Sequence, residues 1–314
     1  MVIAGSVRLD GCRVYVIDTL ALGSARAVAC YLILADDGRS VLVDTGYASS
    51  VEEVRRTLAE LRISHLDYIV PTHLHLDHAG AAGYLARDHG SPIIAHERAV
   101  RHLIDPTRLV ESVRQVFGAQ ADLFGYPMAI DPARSTITGV RSAGEHTLSI
   151  GGMELRFMGT EGHAPHQISV YVNSSKPVLI TADAVSMLYP DYPYCYIPTT
   201  PLPAFDAEQA LATVERLRRL DVEALLMPHF GVSHEPDSVF DATTASIKEW
   251  LSMIKGLLDD GYSSDAVEDE MVGYVRSKGK GKGKSEGRGT PPQYVLNSVR
   301  NSVKGIIGYL KRGG

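Results

Sequence analysis

The densest group of metal-binding side-chain types in the chain lies in the segment Thr72–Gly80, Thr-His-Leu-His-Leu-Asp-His-Ala-Gly. Alternate side chains of an extended segment point the same way, so His73 and His75 can share a face that Asp77 continues. The turn that follows can bring His78 to a neighbouring point. Imidazoles with one carboxylate favour zinc or iron, because calcium and magnesium prefer shells of oxygen atoms. Four ligands exceed what one open catalytic metal takes from a single loop, so the spacing predicts two adjacent metals.

Three further candidate ligands occur downstream, each where an apolar run gives way to turn residues. They are His163 in Gly159–His166, Asp183 after Val178–Ala182, and His229 in Met227–Gly231. The ends of strands are where proteins commonly place functional side chains, on loops held by a rigid scaffold. We therefore expect these three residues to complete the site that Thr72–Gly80 begins.

The order and the residue types of these motifs resemble the metallo-β-lactamase superfamily. The chain has His-x-His-x-Asp-His, then Gly-His, then Asp after an apolar strand, then a late His. Asp44-Thr45-Gly46 is similar to the early Asp-Thr-Gly turn of that family, and the resemblance extends over most of residues 1–260. It implies an α/β fold, the four-layer αββα sandwich, with the metals along one edge between the two sheets.

The resemblance also implies roles for the individual side chains. One metal would be held by His73, His75 and His163, the second by Asp77, His78 and His229, with Asp183 bridging the two. Two zinc ions are the expected cofactors, with iron or a mixed zinc and iron pair as the alternative. His166 matches a family position that supports the site without binding metal. Asp44 is either a carboxylate that orients a ligating imidazole or an ordinary turn residue.

The chemistry expected of such a site is hydrolysis by a metal-bound hydroxide. Two zinc ions about 3.5–4 Å apart can lower the pKa of a shared water toward about 7. Asp77 is placed to orient this nucleophile and to pass its proton to the leaving group. The sequence contains neither a Gly-x-Ser-x-Gly elbow nor a P-loop, so we predict a zinc-dependent hydrolase.

The second half of the chain most resembles the N-acyl homoserine lactone lactonases. Lactonases of that type place a catalytic tyrosine three residues after the bridging aspartate, and here that position is Ser186. Tyr189 or Tyr194, in the loop that follows, could substitute for it. We therefore expect promiscuous action on small, fairly apolar lactones, esters or phosphotriesters rather than a dedicated lactonase.

Three other functions share parts of this pattern. A glyoxalase II-like thioesterase would have the same metal site and would differ only in its substrates. A persulfide dioxygenase would bind a single iron. A nuclease of the superfamily would normally bring an added RNA-clamping domain, for which the chain has little room.

Short apolar runs and helical spacings predict the elements that position the site. The predicted strands are 14–17, 27–34, 41–43, 68–70, 155–157, 168–172 and 178–180, and the predicted helices are 50–61, 80–87 and 206–220. Leu109–Ile130 is either ordinary core packing, which we favour, or a helical insertion over the site. Leu188–Pro198 is rich in proline and should be a stiff loop, and its Tyr189, Tyr192 and Tyr194 are expected to line the substrate pocket.

Composition and charge limit the partners. The chain has 314 residues, a hydrophobic fraction of 45% and a net charge of -6, which argues against a surface that coats nucleic acid. No apolar run reaches the roughly 20 residues that span a bilayer, and the N-terminus lacks the pattern of a signal peptide. We expect a cytoplasmic protein that acts on a small molecule, without nucleic-acid or membrane partners.

The C-terminal part is expected to be separate from the main domain. We predict a metallo-β-lactamase-like domain over residues 1–276, a flexible lysine–glycine linker over 277–290 and an amphipathic helix within 291–314. The apolar stripe of this helix must be covered by its own domain or by a second subunit. We favour the second, a homo-oligomer formed through this helix.

Overall fold

Two β-sheets form the centre of the computed structural model, which describes residues 3–142, 144–279 and 289–313. The seven strands of the first sheet follow one another in chain order: β1 Ile3–Leu9, β2 Cys12–Asp18, β3 Ala29–Ala35, β4 Ser40–Val43, β5 Tyr68–Val70, β6 Ile93–His96 and β7 Ile137–Val140. The second sheet has six strands: β8 Glu145–Ile150, β9 Met153–Gly159, β10 Ile168–Asn173, β11 Val178–Ile180, β12 Ala224–Met227 and β13 Gly231–Ser233.

Parallel pairs of strands bring the functional loops to one edge of each sheet. In the first sheet β4 pairs in parallel with β5, with Val43 opposite Val70. In the second sheet β11 pairs in parallel with β12, with Ile180 opposite Leu226. The carboxyl ends of parallel strands lie side by side, so the loops that follow each pair of strands start next to each other.

The described helices cover the outer faces of both sheets. Their bounds are α1 Val51–Glu60, α2 Leu76–Ala79, α3 Ala82–His89, α4 Val100–Ile104, α5 Thr107–Phe117, α6 Ala207–Arg218, α7 Pro236–Asp259, α8 Ser264–Lys278 and α9 Gln293–Lys311. α1 and α3 pack on the first sheet through Leu58 and Leu85. α6 and α7 pack on the second through Val214 and Phe240. The predicted αββα sandwich is confirmed. Within the described ranges, no helix is long and apolar enough to cross a membrane.

The central strands of both sheets are buried on both faces. In β3, Tyr31 and Ile33 belong to the core between the sheets, whereas Cys30 and Leu32 face the helices outside. Successive side chains of a strand point to opposite faces, so a strand between two apolar layers is apolar throughout. This explains why predicted strands such as 41–43 and 178–180 are continuous apolar runs without alternation.

The C-terminal helix packs on its own chain. Val295, Val299, Val303 and Ile306 are each 0% exposed, in an apolar cluster that includes Trp250 of α7 and residues of α8. α7 and α8, which supply this surface, carry none of the motifs that predict the site. The stripe is covered within one chain and does not require a second subunit, so the homo-oligomer stays a prediction.

Two further expectations about the outer segments need correction. α8 continues through Lys278, so the first two residues of the predicted linker are helical, and residues 280–288 of that linker lie outside the described residues. Core packing of Leu109–Ile130 holds only for parts of that segment: Ile130 belongs to the apolar layer outside the first sheet and Leu109 packs against it, but no residue of α5 is fully buried. Phe124, a buried residue of the turn after α5, stacks on Tyr47 at 5.0 Å between ring centroids.

Candidate metal centre

Both sheets contribute side chains to one cluster at the edge described above. From the first sheet come the loop after β5, with His73 and His75, and the short helix α2, with Asp77 and His78. From the second come His163 between β9 and β10, Asp183 after β11 and His229 after β12. The structure thus brings together all seven residues that the sequence singled out as metal ligands.

Three imidazoles converge in the first part of the cluster. The Nε2 of His73 lies 2.9 Å from the Nδ1 of His75, and the Nε2 of His163 lies 3.2 Å and 2.8 Å from these two atoms. Nitrogens bound to one tetrahedral zinc at about 2.0–2.1 Å would lie roughly 3.3 Å apart. The three nitrogens therefore already surround a point at which one metal ion could be shared.

Carboxylates enter the second part of the cluster. The Oδ2 of Asp77 lies 3.6 Å from the Nε2 of His78 and 3.5 Å from the Nε2 of His229. The Oδ2 of Asp183 lies 3.4 Å from the Nε2 atoms of both His163 and His229. The other oxygen of Asp183, Oδ1, lies 3.6 Å from the Nε2 of His78. Asp183 thus stands between the two groups of ligands.

Two atoms of this cluster show that the residues fit bound metals. Among the described residues, the Nε2 of His78 and the Oδ1 of Asp183 are buried and have no hydrogen-bond partner. An unpaired buried polar atom costs about 1–3 kcal/mol, and more when it is charged. Metal ions coordinated by these two atoms would remove that cost, and the set of imidazoles and carboxylates suits zinc or iron.

Hydrogen bonds outside the cluster fix which nitrogen of His163 and of His229 faces inward. The Nδ1 of His163 donates to the carbonyl oxygen of Thr199 at 2.8 Å, and that of His229 to the carbonyl oxygen of Ala27 at 3.2 Å. A carbonyl oxygen only accepts, so each Nδ1 carries the hydrogen. The lone pair of each Nε2 is then free for a metal, as in many metal sites of proteins.

Asp44 plays the same part for His78. This aspartate directly follows β4 with a φ of 60°, and it is completely buried. Its Oδ2 accepts from the Nδ1 of His78 at 2.8 Å, and its Oδ1 accepts the backbone N–H of Thr72, also at 2.8 Å. These contacts favour the orienting role over that of an ordinary turn residue. His166 also supports the loop, because its Nδ1 accepts the N–H of Leu74 at 3.4 Å.

The electrostatics of the two groups differ. Burial and then the neighbouring His163 lower the pKa of His75 to about 3, and burial and the surrounding imidazoles lower that of His73. Burial alone would lower the pKa of His78, but Asp44, Asp77 and Asp183 raise it to about 10. Burial therefore favours neutral imidazoles in the first group, whereas carboxylates surround the imidazole of His78 in the second.

The three tyrosines that were expected to line the pocket are in different places. Tyr189 lies beside the centre, with its ring 6.3 Å from that of His229, but it is only 2% exposed. Tyr192 is buried in the helical cluster, and its hydroxyl donates to the carbonyl oxygen of Val275. Tyr194 is 47% exposed and packs edge-on against Tyr192. The predicted pocket role is wrong for Tyr192, because its side chain is buried in the apolar cluster that α7, α8 and α9 form.

Two aromatic residues near the centre were missed. Tyr47 directly follows the Asp-Thr-Gly turn, and Tyr294 lies in the first turn of α9. Both pack against a small cluster that contains Ala27, the residue whose carbonyl holds His229. Tyr47 could have been found from its place next to the turn motif. Tyr294 had no local signal, because only the docking of α9 brings it there.

An αββα sandwich with a histidine- and aspartate-rich edge defines a class of metal-binding hydrolase folds. The family model of the metallo-beta-lactamase superfamily matches residues 23–229, and the chain belongs to this superfamily. Its members are generally hydrolytic metalloenzymes.

Relatives of this chain include two archaeal proteins. The metallo-beta-lactamase fold-containing protein ST1585 of Sulfurisphaera tokodaii is 25% identical over 208 residues, 65% of this chain and 74% of that protein. A probable metallo-hydrolase of Methanocaldococcus jannaschii is 27% identical over 155 residues, 49% of this chain and 66% of that protein.

Solved structures show the same fold. The crystal structure of ST1585 from Sulfolobus tokodaii has a TM-score of 0.63 at 19% identity, covering 91% of this chain and 93% of that one. A metallo-beta-lactamase family protein from Thermus thermophilus has a TM-score of 0.64 at 20% identity, covering 91% of this chain and 89% of that one.

Proposed function

We propose that this protein is a dinuclear metallo-hydrolase, with zinc as its metal, that acts on small, fairly apolar lactones, esters or phosphotriesters. The observation that carries this proposal is the position of Asp183, within 3.4 Å of a nitrogen from each group of ligands. A carboxylate between two sets of imidazoles is the arrangement that two adjacent metals require. His73, His75 and His163 would hold one metal, and Asp77, His78 and His229 the other.

The side chains around the metals have separate tasks in this proposal. When bound, the two metals would lower the pKa of water toward neutrality and polarise the scissile oxygen. The Asp77 side chain is 19% exposed, more than those of His78, Asp183 and His229, so it lies on the open side of the cluster. It is therefore placed to hold the nucleophile and to pass a proton to the leaving group.

The substrate is proposed to be broader than an acyl homoserine lactone. Ser186, at the position of the lactonase tyrosine, is buried, and its hydroxyl bonds with that of Ser246 at 2.8 Å. Its backbone N–H donates to the Thr243 hydroxyl at 3.0 Å. Because its hydroxyl and its N–H are both used in these bonds, Ser186 does not replace the phenol of the lactonase tyrosine. This supports a broader substrate range than that of a dedicated lactonase.

Nucleic acid is not proposed as a substrate. A protein of Bacillus anthracis named exodeoxyribonuclease YycJ is 37% identical, but over only 76 residues, 23% of this chain and 29% of that protein. The net charge of -6 also disfavours a polyanionic substrate. A thioesterase of the glyoxalase II type uses the same centre and is the second candidate to be tested.

Metal analysis and a panel of substrates test the proposal. Elemental analysis of unchelated protein should find two transition-metal ions per chain. The panel should contain aryl esters, lactones, phosphotriesters, glutathione thioesters, a structured RNA and single-stranded DNA, at one enzyme concentration. Turnover should be highest for the first three classes. A single iron per chain, or dominant cleavage of nucleic acid or thioesters, would show that the proposal is wrong.

A further inference from the structure

Two half-buried tyrosines lie on the His229 side of the candidate metal centre. Tyr47 and Tyr294 pack against a small apolar cluster of Ala21, Ala27 and Val28. The carbonyl oxygen of Ala27 is also the acceptor for the Nδ1 of His229. The cluster therefore places the two tyrosines close to this ligand, although one comes from the first sheet and the other from the C-terminal helix.

A third tyrosine fills the space between His229 and the helix. The ring of Tyr189 lies 6.3 Å from that of His229 and 5.0 Å from that of Tyr294, edge-on to both. It is 2% exposed, and its hydroxyl bonds with that of Ser298 in α9 at 2.8 Å. Because Tyr189 is buried while its neighbour Tyr294 is not, Tyr189 supports the surface and Tyr294 forms it.

A polar contact holds this arrangement together. Asp191 forms an ion pair with Arg26 and accepts from the Tyr294 hydroxyl at 3.1 Å. It thereby joins the loop after β2, the tyrosine-rich loop and the start of α9. On the opposite side, Phe124 stacks on Tyr47 at 5.0 Å, with the ring planes 13° apart. Both accessible rings are therefore held in fixed orientations.

We infer that Tyr47 and Tyr294 determine substrate specificity. Their ring faces would bind a flat, uncharged substituent of the substrate, away from the bond that is hydrolysed. An aromatic face contributes binding free energy mainly to large apolar groups such as another ring, and much less to a group as small as methyl. The carboxylates of Asp77 and Asp183 act on Tyr47, and that of Asp191 accepts from the Tyr294 hydroxyl, so an anionic group is disfavoured there. This inference rests on the proposed function, and it makes α9 a part of the active site, with Tyr189 and Ser298 as positioning residues.

Calorimetric titration of the zinc-loaded full chain with phenylphosphonate and methylphosphonate tests the inference without turnover. Both probes carry the same metal-binding group, so the ratio of their affinities reports the preference of the site for a ring over a methyl group, and its change in a variant reports the part of one tyrosine. Wild type should bind phenylphosphonate more tightly by about tenfold, and Tyr294→Ala or Tyr47→Ala should reduce that ratio roughly two- to tenfold. Tyr294→Phe, which keeps the ring, should retain most of it.

Tyr309→Ala is the matched control, because Tyr309 is a half-buried tyrosine at the other end of α9, against Phe205. It should leave the affinity ratio unchanged. An equal loss of the ratio in Tyr309→Ala, or none in Tyr294→Ala and Tyr47→Ala, would overturn the role of the two tyrosines but not the metal centre. If neither probe binds wild type containing two metals, the proposed function itself is wrong, and the specificity role with it.

Discussion

At the scale of single residues, Asp44 offers the sharpest test of how the ligands are oriented. Asp44→Asn keeps the size of the side chain, and asparagine tolerates the positive φ of this position. It loses the charge that faces the Nδ1–H of His78. We expect a loss of about 10- to 100-fold in metal affinity at the Asp77, His78 and His229 group. Titration of the apo protein with zinc should then show one tight site instead of two.

A similar carboxylate away from the metals provides the control for this variant. Asp67 lies just before β5, and its Oδ2 accepts the backbone N–H of Ser40 at 2.8 Å, but it contacts no imidazole of the described residues. Asp67→Asn should therefore leave both zinc sites intact. Two tight sites in Asp44→Asn would show that this carboxylate does not set the affinity.

Asp183 and Asp77 should differ in their effect on stoichiometry. Asp183 approaches nitrogens of both groups, whereas Asp77 approaches those of His78 and His229 only. Asp183→Ala should therefore reduce the zinc content from two ions per chain toward none, and Asp77→Ala toward one. Elemental analysis after dialysis measures this. Equal zinc content in the two variants would contradict the bridging position of Asp183.

The cluster of the seven candidate ligands could be predicted from the sequence because residue type and position agree. His163, Asp183 and His229 each follow an apolar run, and each run is a strand or lies at the end of one. For the tyrosines of the loop Leu188–Pro198, residue type and position in the sequence do not predict where the side chain lies. Tyr189 and Tyr192 have the same surroundings in the sequence, yet one lies beside His229 and the other among the helices. Only the packing of α7, α8 and α9, which is long-range, separates the two.

At the scale of elements, a glycine allows α9 to pack closely against the segment that holds one of the candidate ligands. A Cβ on Gly305 would lie 1.6 Å from the carbonyl oxygen of Thr200. The preceding carbonyl, that of Thr199, holds His163. Gly305→Ala should therefore push α9 away, lower the free energy of unfolding by about 1–3 kcal/mol and weaken zinc binding. Urea denaturation and zinc titration measure the two effects.

Gly273 in α8 is the matched control, because a Cβ there meets nothing within 4 Å. Gly273→Ala should stabilise the protein by about 0.5–1 kcal/mol, since alanine favours a helix over glycine. It should leave zinc affinity unchanged. If Gly305→Ala behaves in the same way, the close approach of α9 does not matter for the site.

Helices with a clear stripe and cap were predictable, and those without were not. The predicted helix 206–220 corresponds to α6, where Asp206 caps the first turn by accepting the N–H of Gln209 at 2.9 Å. The predicted helix 50–61 corresponds to α1. α5 has an apolar pattern too, but none of its residues is fully buried, and its Phe117 packs edge-on against Phe124 of the turn that follows. The spacing of apolar residues predicts that a helix has an apolar face, but it does not predict which element packs on that face.

At the scale of the whole molecule, the order of the strands could not be read from local sequence. β11 and β12 are adjacent in the sheet, although α6 and long loops separate them in the chain. The family resemblance supplied the sandwich, because several separated motifs occurred in the order that this fold requires. The helices α7 and α8 remained unpredicted, since no motif of the resemblance falls on them.

The metals should stabilise the whole molecule, because their ligands come from both sheets. A ligand that binds only the folded state stabilises it by about 2.7 kcal/mol at a hundredfold excess over its Kd. For a chain of 314 residues, this corresponds to a rise of about 4 °C in Tm. Chelation should therefore lower the Tm of wild type by that amount, in differential scanning calorimetry. Asp183→Ala, which should already lack metal, should show the same Tm with and without chelator. An unchanged Tm in wild type stripped of metal would mean that the ions do not link the two sheets.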